Sequence, residues 1–198
     1  MSRNPLHVRD ATPDDAEALL SIFAEFSKRT YSERFPLEAP VIETANAVIR
    51  IAADPNQRLV LGVLGGEAIG AMHLVRAPMS PIHAEHAIHI THLHVLEDHR
   101  RRGVGRALIE AAVTWAEDRH AGHVLAAASA SSRDANRFMA RLGLAQIAMV
   151  RGATVSTLRA KLPVEPPAAA RVGGRSHRSV GTVLAQRRSL RRAEGRSG

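Results

Sequence analysis

The side chains best suited to chemistry are concentrated between residues 83 and 106. Six histidines there are followed by the glycine turn, Arg-Arg-Arg-Gly-Val-Gly-Arg at residues 100–106. A neutral imidazole can take up a proton near pH 7 or ligate a metal. Arginines and glycines before a helix suit a phosphate, because the first helical turn carries unpaired N–H groups and partial positive charge. The glycine turn therefore predicts a pyrophosphate site, and the alternative is a tight turn with solvated arginines.

The spacing of the histidines argues against a metal centre. His83, His86, His89 and His92 recur at every third position, in a segment whose β-branched residues favour a strand. Side chains of a strand alternate between its two faces, so these four cannot converge on one ion unless the segment is helical. His92 and His94 share a face, but two histidines need further ligands to hold zinc. We expect no metal.

Several classes of protein are excluded by what the sequence lacks. The glycine turn contains neither G-x-x-x-x-G-K-[ST] nor G-x-G-x-x-G, so nucleotide hydrolysis and dinucleotide redox chemistry are not expected. The chain has no cysteine, which excludes disulfides and thiolate sites and favours a reducing compartment. Without an apolar signal segment or an apolar run of about 18 residues, a soluble cytoplasmic protein is expected.

Hydrophobic periodicity predicts a mixed α/β domain. Thr12 is the expected N-cap of the first helix, with Pro13 at the first helical position. Gly65-Gly66 between two apolar runs indicates a β-hairpin. Helices are predicted after Thr12 and at 41–53, 104–119 and 133–142, and strands at 7–9, on both sides of the hairpin turn, and at 87–96, 123–131, 144–150 and 154–162.

The formal net charge of +8 lies mostly at the C-terminal end. Residues 163–198 hold eight arginines and two glutamates, a net charge of +6, and begin with a linker rich in proline and alanine. We expect residues 1–162 to form the folded domain and residues 163–198 a flexible tail. The tail could be a solubilising extension, could contact nucleic acid phosphates, or could dock on a membrane or a partner.

The glycine turn and its surroundings resemble the GCN5-related N-acetyltransferase (GNAT) superfamily. Arg100-x-x-Gly103-x-Gly105 resembles the [QR]-x-x-G-x-[GA] signature, and "SRDANRFMARLGL" at residues 132–144 is similar to the superfamily's fourth helix. The resemblance covers roughly residues 6–160 in element order. It implies a mixed, mostly antiparallel central sheet flanked by helices, with the fourth and fifth strands splayed at an acyl-CoA cleft.

The resemblance also implies a reaction and its co-substrate. An N-acetyltransferase moves an acetyl or other acyl group from acetyl-CoA to a primary amine, and such proteins often form homodimers. Backbone N–H groups of the glycine turn would hold the CoA pyrophosphate, and the end of the fourth strand would pair with the pantetheine arm. The cofactor-binding residues carried over are Leu93, His94, Val95, Arg100, Arg101, Arg102, Gly103, Val104, Gly105, Arg106, Ala107 and Ser132.

The sequence departs from the family pattern at the general acid. Many members place a tyrosine after "A-x-x-F" in the fourth helix to protonate the departing thiolate, whereas here Phe138 is followed by Met139, which cannot donate a proton. Ser131 or Ser132 could supply a hydroxyl, or the thiolate could leave unprotonated. As the base, histone-type members carry a glutamate fourteen residues before the first motif glycine, where this chain has His89. Ordered water and backbone carbonyls are the alternative.

The acceptor amine and the activity itself stay open at this stage. An amine usually meets carboxylates, and the first helix and its loop carry Glu25, Glu33 and Glu38 beside Tyr31 and Phe35. These could equally be ordinary surface residues. The alternative function is a non-catalytic acyl-CoA-binding domain whose tail contacts nucleic acid or a partner. The missing tyrosine favours that alternative, and the intact glycine turn favours the enzyme.

Overall fold

A computed structural model of the protein describes residues 5–30, 39–82, 84–129, 132–148 and 150–162. Within these ranges five strands form one sheet in the order β1-β2-β3-β4-β5, antiparallel except for the parallel pair β4–β5. The strands are β1 (His7–Asp10), β2 (Gln57–Leu64), β3 (Glu67–Pro78), β4 (His86–Val95) and β5 (His123–Ala126). The helices are α1 (Ala16–Thr30), α2 (Val41–Ala53), α3 (Val104–Asp118), α4 (Arg133–Arg141) and α5 (Val155–Lys161). The expected mixed, mostly antiparallel sheet is confirmed.

Helices cover both faces of this sheet. On one face α3 packs over the central strands, and on the other face α1 and α2 do so. The buried residues of the α3 face are Val60, Ile69, Met72, Leu74, Ile88, Ile90, Val104, Leu108, Ile109, Ala112, Trp115 and Ala116. Those of the α1 face are Ala11, Leu19, Ile22, Val48, Leu59, Leu61, Val63 and Ala71. No helix in the described ranges is long and apolar enough to cross a bilayer.

The predicted hairpin is confirmed and joins β2 to β3. Its turn is Gly65-Gly66, with φ of +67° and +90°. Positive φ at both central residues defines the type I′ turn, whose twist matches that of the flanking strands. β4 then returns antiparallel to β3, and α3 carries the chain back to the parallel strand β5.

β4 contains one residue more than the part of β3 that it faces. His73 pairs with His92 and Leu74 pairs with Ile90, so Thr91 has no opposite position in β3. A bulge of this kind shifts the alternation of side chains by one residue along the strand. The histidines of β4 therefore do not alternate between faces as a regular strand would require.

The N-cap predicted at Thr12 is confirmed, and the Asp15 carboxylate completes it. Residues Pro13–Asp15 form a 3₁₀ turn before the α-helix begins at Ala16. Asp15 accepts hydrogen bonds from the backbone N–H and hydroxyl of Thr12, at 2.8 and 2.9 Å, and two from the Arg9 guanidinium, both at 2.7 Å. The Arg9 guanidinium, with Thr12, holds the pKa of Asp15 well below its usual range.

Two predicted strands are wrong. The chain divides into two units, Met1–Ile147 and Ala148–Gly198, and the described part of the second unit contains a helix, α5, where a strand was expected. Thr154 caps this helix, since its Oγ1 accepts the Thr157 N–H at 3.2 Å, and two basic residues occupy its last turn. These end effects outweigh the β-propensity of the segment. The described residues between 144 and 150 also form no strand.

Candidate functional site

The glycine turn presents a run of backbone N–H groups at the start of α3. Arg101 has a φ of +61°, and Gly103, the N-cap of α3, has a φ of +86°. Among the described residues, no backbone carbonyl accepts a hydrogen bond from the N–H groups of residues 101–106. The first such bond runs from the Ala107 N–H to the Gly103 carbonyl, at 3.0 Å. These N–H groups are the unsatisfied donors expected at a helix N-terminus.

Positive charge surrounds these donors. Arg101, Arg102 and Arg106 are exposed and form no ion pair with a described residue. Together with the partial positive charge of the α3 N-terminus, they make this surface suitable for a phosphate or pyrophosphate.

Arg100 differs from these arginines because its guanidinium turns back onto the protein. Its Nε donates to the Val95 carbonyl at 3.2 Å, and its terminal nitrogens lie 3.4 Å from a carboxylate oxygen of Glu25 and 3.6 Å from one of Glu97. In this structure the side chain links β4, α1 and the glycine turn, so its charge is partly matched by two carboxylates.

Gly105 is required by packing as well as by its place in the turn. A Cβ at this position would lie 3.3 Å from Cζ of Phe138. The absence of a side chain at Gly105 therefore lets α4 pack against the first turn of α3.

The pairing of β4 with β5 ends before β4 does. The ladder joins residues 87–90 to residues 123–126, and the Ala127 N–H donates to the Ile90 carbonyl at 3.1 Å. Beyond Ile90, the described part of the chain places no strand against this side of β4. The rest of β4, Thr91–Val95, thus has an open edge next to the glycine turn.

The open edge offers backbone groups from two of the three predicted strand residues. The Leu96 N–H donates to the Ile69 carbonyl of β3 at 3.0 Å. Because backbone direction alternates along a strand, the N–H and C=O of His94 also face β3, and those of Leu93 and Val95 face the open side. The Arg100 guanidinium already donates a hydrogen bond to the Val95 carbonyl. The open edge therefore presents the N–H and C=O of Leu93 and the N–H of Val95.

The bulge brings histidines together on the α1 face of the sheet. His73 and Val75 lie on this face of β3, and their partners in β4 are His92 and His89. His94 follows on the same face and is buried, with 7% of its surface exposed. The Nε2 atom of His89 is buried and has no hydrogen-bond partner among the described residues. No cluster of three or more potential metal ligands lies within the described ranges.

A chain of hydrogen bonds runs along this face from Asp54 to His92. Gln57 Nε2 donates to an Asp54 carboxylate oxygen at 2.7 Å, and Gln57 Oε1 lies 3.0 Å from His73 Nε2. His73 Nδ1 lies 2.8 Å from Thr91 Oγ1, which in turn lies 3.1 Å from His92 Nδ1. Burial lowers the pKa of His73 and of His92, and the nearby His92 lowers that of His73 further. Both rings are therefore neutral near pH 7.

Glu25 connects α1 to this face. Its Oε1 lies 3.1 Å from Nε2 of His94 and 3.4 Å from the Arg100 guanidinium, and its Oε2 accepts the Glu97 N–H at 3.5 Å. The carboxylate predicted to meet an acceptor amine is thus engaged with the strand and with the residues before the glycine turn.

Two positions of α4 bear on the protonation of the departing thiolate, and the structure gives both a structural role. Ser132 is the N-cap of α4, and its Oγ accepts the Ala135 N–H at 3.3 Å, which leaves its hydroxyl hydrogen as a possible donor. Met139 is buried, with 8% of its surface exposed, so the family's tyrosine position is occupied by a core residue. The other predicted residues His83, Ser131, Tyr31, Glu33, Phe35 and Glu38, and the tail at 163–198, lie outside the described residues.

Sequence reasoning missed the participation of Asp54, Gln57 and His73. For Gln57 and His73 the sequence does contain a signal, which is the hairpin turn. A hairpin centred between Gly65 and Gly66 brings Gln57 close to His73 across the two strands. The contribution of Asp54, in the turn before β2, has no comparable signal in the sequence.

The fold and the site define an α/β domain whose glycine turn presents backbone N–H groups beside an open strand edge. Residues 18–144 match the Acetyltransferase (GNAT) family. The match spans more than half of the chain, so the protein belongs to that family, and the resemblance found in the sequence is confirmed. No curated protein sequence matches the chain.

Solved structures show the same fold at low sequence identity. A transcriptional regulator from Bacillus halodurans C-125 is 20% identical, with a TM-score of 0.64 over 76% of this chain and 99% of its own. A ribosomal-protein-alanine N-acetyltransferase from Brucella melitensis biovar Abortus 2308 is 17% identical, with a TM-score of 0.57 over 76% and 99% of the two chains. An aminoglycoside N-acetyltransferase in complex with CoA is 15% identical, with a TM-score of 0.60 over 78% and 98%.

Proposed function

We propose that the protein is an N-acetyltransferase that moves an acetyl group from acetyl-CoA to a primary amine by direct attack. The observation that carries this proposal is the continuity of two binding features. The open edge of Leu93 and Val95 leads directly to the N–H groups of residues 101–106. A ligand with an extended amide-containing arm and a pyrophosphate can use both features, and acetyl-CoA has this chemistry.

The residues present fit acetyl-CoA. The pyrophosphate would be held by the backbone N–H groups of residues 101–106 and by the exposed side chains of Arg101, Arg102 and Arg106. The N–H of Ala107, also carried over from the resemblance, already donates to the Gly103 carbonyl. The pantetheine amides would pair with Leu93 and Val95 as an added strand does, with His94 between them. Arg100 would keep the glycine turn against Val95.

The same edge can stabilise the reaction. Attack of a neutral amine on the thioester carbonyl forms the C–N bond and places negative charge on the carbonyl oxygen. An N–H group of Leu93 or Val95 can donate to that oxygen. Collapse breaks the C–S bond, and the leaving sulfur takes a proton, for which the Ser132 hydroxyl is the candidate donor. His89 is the base proposed from sequence position alone.

The alternative proposal is a domain that binds acyl-CoA without transferring the acyl group. It is supported by Met139, which fills the position of the usual acid with a buried apolar side chain. Under either proposal the domain extends over residues 1–162, and the arginine-rich tail at 163–198, with its contacts to nucleic acid or a partner, stays a prediction, as do the cytoplasmic location and a homodimer.

Binding of acetyl-CoA to the full chain is the first test. Acetyl-CoA at about 100 times its Kd should stabilise the protein by about 2.7 kcal/mol and raise Tm by several degrees. Replacing Arg101, Arg102 and Arg106 by glutamate should remove most of that rise. The matched control is Arg50→Glu, at an exposed position of α2. An unchanged rise in the triple variant would contradict the assigned turn.

Transfer is then measured by the release of CoA thiol in the presence of kanamycin, spermine or an alanine-terminated peptide. The protein has no cysteine, so a thiol reagent reports CoA alone. Amine-dependent thiol release and a matching mass increase of 42 Da in the amine, roughly one acetyl group for one proton, support the enzyme. Binding without transfer to these amines supports the non-catalytic alternative.

A further inference from the structure

We propose that His92 is the catalytic base that takes the proton from the acceptor amine, and that the hydrogen-bond chain from Asp54 sets its tautomer. This inference rests on the proposed acetyltransferase function and names a residue different from His89. It depends on the direction of each hydrogen bond between Asp54 and His92.

The direction is fixed at the Asp54 end. The backbone N–H of Asn56 and the side chain of Gln57 donate to the Asp54 carboxylate, and both lower its pKa, so this group is an anion that only accepts. The Gln57 NH₂ group must therefore face Asp54, which leaves Gln57 Oε1 toward His73. A carbonyl oxygen cannot donate, so the proton of neutral His73 is on Nε2.

The remaining bonds follow from this tautomer. With its proton on Nε2, His73 has an unprotonated Nδ1. The Thr91 hydroxyl has two acceptors within reach, this atom at 2.8 Å and the His73 carbonyl at 3.4 Å, and it donates its single hydrogen to the nearer one. The contact between Thr91 Oγ1 and His92 Nδ1, at 3.1 Å, then requires the hydrogen of His92 Nδ1. His92 therefore carries its proton on Nδ1, and Nε2 holds the lone pair that can accept a proton.

The position of His92 in β4 agrees with this role. His92 precedes Leu93, the first residue whose backbone faces the open edge, whereas His89 lies in the part of β4 that β5 covers. The buried Nε2 of His89 has no hydrogen-bond partner among the described residues, so no described hydrogen bond assigns a proton to that atom. Among the strand histidines, His92 combines a defined tautomer with proximity to the open edge.

The surroundings keep the His92 ring neutral and in place. Phe23 and Phe26 of α1 contact it edge-to-face, with ring centroids 5.9 and 5.3 Å away. The titratable neighbour on β3 is His73, with a centroid distance of 6.3 Å. On the other side of Phe26, His94 is paired with Glu25, which Arg100 also contacts. These groups must be considered in any pH profile.

The acceptor ammonium gives one proton to Nε2 of His92, and the resulting amine attacks the thioester carbon. As the C–S bond breaks, the new amide nitrogen loses its second proton, and the thiolate takes up one proton to leave as CoA thiol. His92 then releases its proton to solvent, so each turnover yields an N-acetyl amine, CoA thiol and one net proton. Asp54, Gln57, His73 and Thr91 are positioning residues, since they act only through His92.

The tautomer can be measured without any substrate. Long-range ¹H–¹⁵N correlation spectra of the full chain distinguish a protonated from a bare ring nitrogen, and His92→Asn and His73→Asn assign the two rings among the eleven histidines. We expect His92 as the Nδ1–H form and His73 as the Nε2–H form above pH 7. Thr91→Val should return His92 to the Nε2–H form preferred in solution, and Thr91→Ser should preserve the native form. An Nε2–H ring at His92 in the wild type overturns the inference.

Kinetics test the catalytic role. Asparagine at position 92 keeps a donor for Thr91 and removes the basic nitrogen, so we expect kcat/KM to fall by about 10²–10⁴-fold and its rise with pH below about 6.5 to disappear. The rise of Tm with acetyl-CoA should stay unchanged. His86→Asn, at the start of the same strand, is the matched control and should retain most of the activity. His89→Asn tests the base proposed from sequence position.

The outcomes separate this inference from the proposed function. Full activity in His92→Asn, or a loss confined to His89→Asn, overturns the role of His92 and leaves the acetyltransferase intact. Loss of the acetyl-CoA effect on Tm in His92→Asn also overturns it, because the residue would then act in binding or folding. A wild-type chain that binds acetyl-CoA but acetylates no amine contradicts the proposed function, and the catalytic role of His92 falls with it.

Discussion

At the scale of single residues, the two motif glycines meet different requirements. Gly103 adopts a φ of +86° and has only Leu6 at ordinary contact distance, 3.9 Å from where its Cβ would stand. Its requirement is conformational, whereas Gly105 is required because Phe138 occupies the adjoining space. One sequence signature thus combines a backbone constraint on the glycine turn with a packing constraint between two helices.

This difference gives a prediction for Gly103→Ala. The left-handed conformation costs an L-residue about 1–2 kcal/mol, so Tm should fall by several degrees. The strain should also displace the N–H groups of the turn and lower the affinity for acetyl-CoA. Gly66→Ala is the matched control, since Gly66 has a φ of +90° and no atom near its Cβ position. The prediction fails if both variants keep the same acetyl-CoA-dependent rise in Tm.

At the scale of elements, the junction between β1 and α1 depends on Asp15. Its carboxylate accepts hydrogen bonds from the Thr12 N–H, the Thr12 hydroxyl and both terminal nitrogens of Arg9. We expect Asp15→Asn to lower the free energy of unfolding by about 1–2 kcal/mol at pH 7. Asp14→Asn, at the exposed neighbouring position, should have almost no effect in the same urea titration.

The difference in stability between the wild type and Asp15→Asn should decrease as the pH falls. The pKa of Asp15 is lower in the folded protein than in the unfolded chain, where it is near 3.9. Its contribution is therefore complete above about pH 5 and is lost as the pH falls through the range of the carboxyl pKa values. Wild type and Asp15→Asn should converge in stability under acid, and a constant difference down to pH 2 would contradict the assigned ion pair.

The elements were predictable where local signals and tertiary packing agree. The Gly65-Gly66 turn, the Thr12 cap and the apolar periodicity of α3 each require the structure that forms. The strand predicted at 154–162 was wrong because the Thr154 cap and the basic last turn of α5 outweigh the β-propensity of its β-branched residues. The bulge at Thr91 could not be predicted, since it depends on the register of β4 against β3, and the sharing of one face by the histidines was missed with it.

At the scale of the whole molecule, two partly buried histidines link folding to pH. His73 and His92 lie between the sheet and α1, and their desolvation is the main reason that their pKa values fall below the ordinary value of 6.5. The unfolded chain therefore binds more protons than the folded protein as the pH drops through about 6.5. The stabilising effect of keeping both rings neutral is present above that pH and decreases below it.

We therefore expect the urea midpoint of the wild type to be nearly constant from pH 8 to 7 and to decrease from pH 6.5 to 5. The decrease has this direction because protonation of His73 on Nδ1 removes the acceptor of the Thr91 hydroxyl, and protonation of either ring places a charge in a partly buried site. A variant with both His73→Gln and His92→Asn should start with lower stability and show a shallower decrease. Replacing the exposed His7 by asparagine should leave the dependence of the urea midpoint on pH as it is in the wild type. If the double variant retained the full decrease, other groups would have to titrate in this range, and these two histidines would not control the folding of the domain in mild acid.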